Sequence, residues 1–380
     1  MSLFRSLAAV AFLLPSVSFA EVPKSGAYFV YFGCYTSQAG SKGIYRAELD
    51  AKTGKLSEPE LAAEVKSPSF VHISADGKTL YAVGEAAGED GGPVYSYKID
   101  PATGKLSDQV ALTSGSAGPC HISTDAAGTI AVASNYGGGS YAFFSLKPDG
   151  SLDKRIAHHV MPVIKVNDKD KKANGHSCFF DATGTIAFGC NLGQDRVQLF
   201  RKTATDKVVA NDPPFIQFKA GTGPRHIHIA PDNDVAFVCG ELNMTVNVVK
   251  FDLKANKYEV AQTLSTVGKG DKSIGNPSTA ECRIHPSGKF VYVSNRGFNN
   301  LAAFAWDAAA GKLTAVGHIT GDIKTPRNFN ITLDGRWMLI ASQGGGKVGV
   351  YEIDQATGLA KETENSVKID KCVCVKFLAK

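Results

Sequence analysis

Short apolar runs recur along the chain, each closed by a polar turn carrying Gly or Asn. The pattern is clearest at residues 221–242, Gly-Thr-Gly-Pro-Arg-His-Ile-His-Ile-Ala-Pro-Asp-Asn-Asp-Val-Ala-Phe-Val-Cys-Gly-Glu-Leu. Two strand-like runs flank a Pro-Asp-Asn turn, the signature of an antiparallel hairpin. Arg225 stands eight residues before Asn233 and Glu241 eight after, so pairing about that turn brings both to the same end of the sheet. Similar text recurs at Phe70–Gly77, His121–Gly128, Cys282–Gly288 and Ile331–Gly335. With the turn residues Gly26, Gly77, Gly128, Gly184, Asn233, Gly288 and Gly335 as origins, the intervals are 51, 51, 56, 49, 55 and 47 residues.

Each turn is followed by a second strand, then a third such as Val94–Ile99 or Val348–Ile353, then a fourth beyond turns such as Asp100–Lys105 and Asp354–Gly358. Four strands per unit of about fifty residues is the blade of a β-propeller. No helical periodicity of useful length competes after residue 20. The expected fold is therefore all-β: a seven-bladed β-propeller with four antiparallel strands per blade. The first unit lacks an inner strand, and Cys372–Leu378 resembles the missing one. The C-terminal strand should complete the first blade and close the ring, leaving no long sheet edge exposed.

Residues 1–20 have the order of a signal peptide: Arg5, the apolar stretch Leu7 to Leu14, then Ser18-Phe19-Ala20. The apolar stretch is too short to span a bilayer, and no later one can. The expected mature chain is one propeller over 21–380, periplasmic or secreted, monomeric, with no lipobox cysteine and no membrane contact after cleavage. The 380 residues are 43% hydrophobic with a formal net charge of +5, enough for a large core and too mild a charge to imply nucleic acid. Lys169-Asp170-Lys171-Lys172 is interrupted by an acid and reads as a solvated loop, as do His158 and His159.

The eight cysteines have no metal-ligand spacing. Cys372 and Cys374 flank one residue and so should share a strand face. Most read as buried thiols, but Cys178 and Cys190, six residues either side of Gly184, are expected to face each other and can form a disulfide.

Positions eight before and after each turn should meet at one rim of the central channel. They read Ser69 with Glu85, Cys120 with Tyr136, His176 with Leu192, Arg225 with Glu241, Ala280 with Arg296, and Arg327 with Gln343; one position beside this rim adds Asn135, Asn191, Asn295, His121, His226, Glu281 and Asn328. Four consecutive blades thus supply His176, Arg225, Glu241, Arg296 and Arg327. Three guanidinium groups, an acid and an imidazole can bind an oxygen-rich anion, polarise a carbonyl and move a proton. Tyr136, Asn135, Gln343, Glu85 and Arg327 are candidates for holding substrate. A wet rim would make Arg225→Ala costly to activity and cheap in stability. His72, His121, His226 and His228 read as structural strand residues bridging blades. No nucleophile elbow, zinc-protease helix or P-loop is present; the triple glycines at 137–139 and 344–346 read as turns. The rim lacks an acidic ring able to hold calcium, so neither metal nor cofactor is expected.

Several stretches together resemble the seven-bladed lactonase family, which includes propeller-type 6-phosphogluconolactonases and carboxy-cis,cis-muconate cyclases. They are Tyr31–Thr36, Gly118–His121, Ala133–Gly137, Gly175–Ser177, Asn191–Arg196, Gly223–His226, Gly240–Leu242, Val293–Gly297 and Cys374–Phe377. The resemblance covers the chain after the signal peptide and implies a lactonase acting on a small lactone or anionic sugar acid. Its cyclase branch implies a catalytic set matching His176, Arg225, Glu241 and Arg296, with His176 or Glu241 as the base. Asn174-Gly175 stands where the family tends to have His-Pro, and Asn233 replaces a turn Gly. An exported chain is also separated from a cytoplasmic phosphorylated sugar, so lactone chemistry carries over more directly than that substrate. A lactonising cyclase and a non-enzymatic exported binding scaffold are the alternatives. For export, N-terminal sequencing of the protein from its native host should begin near Glu21; an intact Met1 on folded protein would overturn it.

Overall fold

A computed structural model describes residues 26–85, 91–268 and 270–380; the expected signal peptide lies outside them. The described chain forms seven four-stranded antiparallel sheets and one two-stranded hairpin, Ile164–Val166 with Lys169–Lys171. Apart from two single-turn 3-10 segments, no helix is present among the described residues, and none is long and apolar enough to cross a membrane.

Six sheets are built from consecutive strands. The inner strands of blades two to seven are Val71–Ile73, Pro119–Thr124, Gly175–Phe180, Pro224–Ile229, Ser278–Ile284 and Pro326–Ile331. Blade one combines Ala27–Cys34, Gly43–Asp50 and Glu60–Glu64 with the C-terminal strand Cys372–Ala379, which pairs antiparallel to Ala27–Cys34 and lies innermost. The ring closes as the sequence predicts, and inner strands of neighbouring blades touch all the way round.

Burial explains the strand composition. Second strands such as Ile186–Asn191 and Val235–Gly240 are buried at every residue, because each blade packs both faces against neighbours. They therefore read as continuous apolar runs without alternation. The outermost strand Lys257–Ser265 alternates exposed and half-buried positions, as one covered face requires. Each interface is an apolar layer. Between blades seven and one, Trp337, Leu339 and Val350 meet Tyr28, Val30 and Phe32, and Trp337 Nε1 donates to the Ala51 carbonyl at 2.8 Å.

All seven turn residues have left-handed backbones, with φ from 57° at Asn233 to 75° at Gly335. Glycine adopts this at no steric cost, and asparagine is among the few other residues that tolerate it, so Asn233 preserves the turn.

The strand register differs from symmetric counting about those turns. Asp181 N–H donates to the Ile186 carbonyl, so the hairpin is centred between two residues. Cys178 therefore opposes Gly189, while Cys190 opposes Ser177. A one-residue offset turns the two side chains to opposite faces, and the expected disulfide is absent: both are free, buried thiols.

A second shift lies at the channel mouth, where the inner strand carries one extra residue in six blades. The unpaired positions are Val373, Cys120, His176, the Arg225/His226 pair, the Ala280/Glu281 pair and Arg327. Such a bulge kinks the strand and re-aims its side chains. In blade one it separates Cys372 from Cys374. Instead of sharing a face, they pack into different apolar layers. His158 and His159 are not in a loop but on the outer strand Leu152–Val160 of blade three.

Deleting residues 371–380 should remove the inner strand of blade one and expose the edge of Ala27–Cys34. The expected result is loss of the cooperative thermal transition in circular dichroism; a transition within a few degrees of the intact protein would refute strand-mediated closure.

Candidate functional site

The bulges aim their side chains at the channel mouth. Around a narrow cavity of about 10 Å³, room for about one water, stand Tyr35, Glu85, His176, Arg225, His226 and Arg327, with Cys120, Phe70 and Val373 among the other lining residues. Of the sequence candidates, His176, Arg225, Arg327 and Glu85 line this space directly.

Glu241 and Arg296 lie one step outward and are joined to it through Arg225. The Glu241 carboxylate is gripped on both oxygens: Arg225 Nε is 2.8 Å from Oε2, and Arg296 Nη2 is 2.7 Å from Oε1. The first approach is off the N–H direction, because Arg225 Nε makes no directed hydrogen bond; it is a charge contact. Arg225 Nη1 donates to the Ala280 carbonyl of the next blade, and Arg296 Nη2 also donates to the Thr279 carbonyl at 2.8 Å. One carboxylate thus locks two guanidinium groups across blades five and six, each anchored on backbone of blade six.

Arg225 is only 2% exposed, so the wet rim expected for it is not what the fold builds. The bulge draws this residue inward, beneath its neighbours. Arg327, half-buried on blade seven, lies over the Tyr35 ring at 5.4 Å. Tyr35 donates its hydroxyl to Glu85 Oε2 at 2.8 Å, which ties blade one to blade two. Tyr136 is 38% exposed, its ring edge-on to His176 at 5.6 Å.

Asn135 and Gln343 do not line the cavity. Asn135 is buried and donates to Ser140 Oγ in its own blade at 3.0 Å. Asn191 and Asn295 do the same toward Gln194 and Asn300, so in these three blades the Asn braces the bend after the second strand. Gln343 is half-buried at the start of a 3-10 turn.

Charge dominates the site. At the mouth three arginines face two carboxylates, Glu241 and Glu85, while Glu281 beneath them is offset by Arg283, leaving an excess positive charge suited to an anion or developing oxyanion. Burial opposes ionisation of Glu241, but Arg225, Arg296 and Arg327 outweigh it and hold the carboxyl below its ordinary range. Burial, then Arg225, brings the Arg296 guanidinium down to about 10. Burial first, and then Arg225, His226, Arg327 and Arg296, depress His176 well below the usual imidazole value. His176 is neutral at pH 7, and its Nδ1 has no protein partner among the described residues.

The four strand histidines behave as bridges. His72 Nε2 meets Thr124 Oγ1 at 3.0 Å, while His121 Nδ1 and His228 Nδ1 accept from the amides of Cys178 and Ile284 in the next blade. His226 differs in two respects: it lines the cavity, and its Nδ1 lies 3.0 Å from the Glu281 carboxylate. Counting from the turns placed His226 and Glu281 beside the rim, with His226 read as a structural bridge, and left Tyr35 out of the site. The signal was their adjacency to Arg225, Ala280 and Cys34 at the bulges.

A sequence model described as "Lactonase, 7-bladed beta-propeller" matches residues 29–377. The chain is 28% identical to the 6-phosphogluconolactonase of Bacillus subtilis over 351 residues, 92% of this chain and 98% of that one. It is 30% identical to the 6-phosphogluconolactonase of Pectobacterium carotovorum over 266 residues, 70% and 75% of the two chains. Among solved structures it is similar to the periplasmic gluconolactonase of Pseudomonas aeruginosa, with a TM-score of 0.85, 27% identity and coverage of 93% and 99%.

The Glu241 bridge predicts a pH signature. A carboxyl depressed in the folded state contributes stability that is fully present above its unfolded value, near 4.5, and is lost as pH falls through the folded value. Glu241→Gln strands the buried Arg225 and the partly buried Arg296 and should cost about 3 kcal/mol at pH 7. In urea denaturation the gap to wild type should shrink steadily below pH 4; an equal gap at pH 7 and pH 3 would show that charge is not what Glu241 contributes.

Proposed function

The chain belongs to the seven-bladed β-propeller lactonase family, and on that premise we propose that it hydrolyses a sugar-type lactone. The observation that carries this reading is the cluster of three arginines converging with an imidazole on one channel mouth. Arg225 and Arg327 face the cavity and hold the substrate's carbonyl oxygen or its anionic group. As water attacks the carbonyl carbon, negative charge gathers on the carbonyl oxygen, and a fixed guanidinium stabilises it without reorganising. Glu241 and Arg296 keep Arg225 in that pose. His176 and Glu241, the two groups expected to take the water's proton, are both in their basic forms at pH 7, one neutral and one ionised.

Export belongs to the same proposal. It is supported by the charged, apolar and small-residue order of residues 1–20 and by the periplasmic neighbour. An exported enzyme meets sugar lactones outside the cytoplasm, which favours an unphosphorylated aldonolactone over its 6-phosphate.

The test is hydrolysis of glucono-lactones, with and without a 6-phosphate, by the purified mature protein, followed by acid release against the spontaneous rate. Acceleration is expected; no acceleration with any sugar lactone would sink the reading. Arg225→Ala should lose about a hundredfold in turnover, roughly 3 kcal/mol, and should also melt earlier because its site is buried. Arg225→Lys keeps the charge but not the two-pronged fork, so turnover per folded molecule should remain at least tenfold down. Full activity in the lysine variant would reduce Arg225 to a structural anchor.

A further inference from the structure

We propose that His226, positioned by Glu281, is the general base that activates the attacking water; this rests on the lactonase reading above. His226 is the second unpaired residue of the blade-five bulge. Its ring lines the cavity beside Arg225 and His176, with ring centres 5.3 Å from His176. Nδ1 is turned to the Glu281 carboxylate at 3.0 Å, and Nε2 has no protein partner among the described residues.

Glu281 is held as an anion. It comes from the equivalent bulge in blade six and is 2% exposed. Its Oε1 accepts from the Cys282 amide at 3.1 Å, its Oε2 accepts from Asn328 Nδ2, and Arg283 Nη2 stands 3.5 Å away. Burial works against its ionisation, but His226 and Arg283 overcome this and keep its pKa far below the ordinary value. An ionised carboxylate only accepts, so Nδ1 of His226 carries the hydrogen and Nε2 keeps its lone pair. A carboxylate fixing the tautomer of an imidazole, whose other nitrogen faces the reacting atoms, is the arrangement of a general base and its orienting acid.

The alternatives are less well placed. His176 has no carboxylate partner among the described residues, and burial and three arginines all disfavour the imidazolium formed by proton uptake. Both oxygens of Glu241 are committed to guanidinium groups. Around His226, burial, Arg225, Arg283, His121 and His176 also disfavour the cation, and Cys239 contributes a neutral sulfur to the backbone amide; Glu281 alone opposes them.

In the step itself the water oxygen bonds to the lactone carbonyl carbon, and the carbonyl π pair moves onto its oxygen, facing Arg225. A water proton passes to His226 Nε2, and Glu281 stabilises the imidazolium. Collapse re-forms the carbonyl, breaks the bond to the ring oxygen, and returns the proton from Nε2 to that oxygen. One water is added, with no net proton or electron change.

The test joins a tautomer measurement with a pH profile. In ¹⁵N-histidine spectra of the folded protein, His226 should be the Nδ1–H tautomer, with a hydrogen-bonded Nδ1 proton that disappears in Glu281→Gln. An Nε2–H tautomer overturns the proposal whether or not a substrate is known. With a hydrolysed lactone, His226→Asn should lower kcat/KM by about 10²- to 10⁴-fold and flatten its acid limb, while His176→Asn keeps that limb. Glu281→Gln removes the anion and should move the limb to lower pH. If wild type hydrolyses the lactone and His226→Asn, still folded, stays within threefold with its acid limb intact, His226 is a structural bridge and only this inference fails. Wild type inactive on every lactone rejects the lactonase reading and, with it, the role of His226 as general base.

Discussion

One extra residue in the inner strand, repeated at the channel mouth of six blades, is the constraint on which the site depends. A regular ladder would alternate side chains between the two faces of a blade, and both faces are filled by neighbouring blades. Little in such a ladder would point along the channel. The bulge breaks the alternation and frees a side chain to turn into the lumen. His176, Arg225, His226 and Arg327 owe their common direction to this, although they come from separate stretches of chain on three blades. The pairing lost at the bulges of blades five and six is partly recovered locally. The His226 amide points at Cys239 Sγ, and the Glu281 amide donates to Ser294 Oγ.

Charge then sorts these residues into a working order. Cations burying themselves at the mouth must be compensated, and the compensation is shared rather than pairwise. Glu241 serves Arg225 and Arg296, blade-six carbonyls serve both, and the Tyr35 ring faces Arg327. The balance still leans positive, which adds to burial in keeping His176 neutral and makes the mouth receptive to an anion. Glu281, one layer deeper, draws His226 and Asn328 from the flanking blades. Two carboxylates at different depths therefore hold two different kinds of partner.

Rigid placement comes from the closed ring. Every inner strand is flanked by two others, and the C-terminal strand leaves blade one without an open inner edge. Apolar layers between blades supply the cohesion, and the channel keeps the polar groups. Ligand-facing side chains can thus be arranged without opening the core.

Seven turns at about fifty-residue spacing, the missing strand of the first unit and the spare strand at the end were legible in the sequence, because local turn chemistry and apolar runs repeat with each blade. So was the convergence of His176, Arg225 and Arg327 on one mouth, since counting from a turn tolerates an error of a residue. Facing and depth do not tolerate it. Cys178 and Cys190 miss each other by one position, Cys372 and Cys374 part at a bulge, Asn135 turns into its own blade, and Arg225 is buried instead of wet. Bulges leave no reliable mark in a single sequence, because they are set by how neighbouring strands crowd the mouth. The partnership of His226 with Glu281, 55 residues apart in sequence, could be decided only by the packing of one blade against the next.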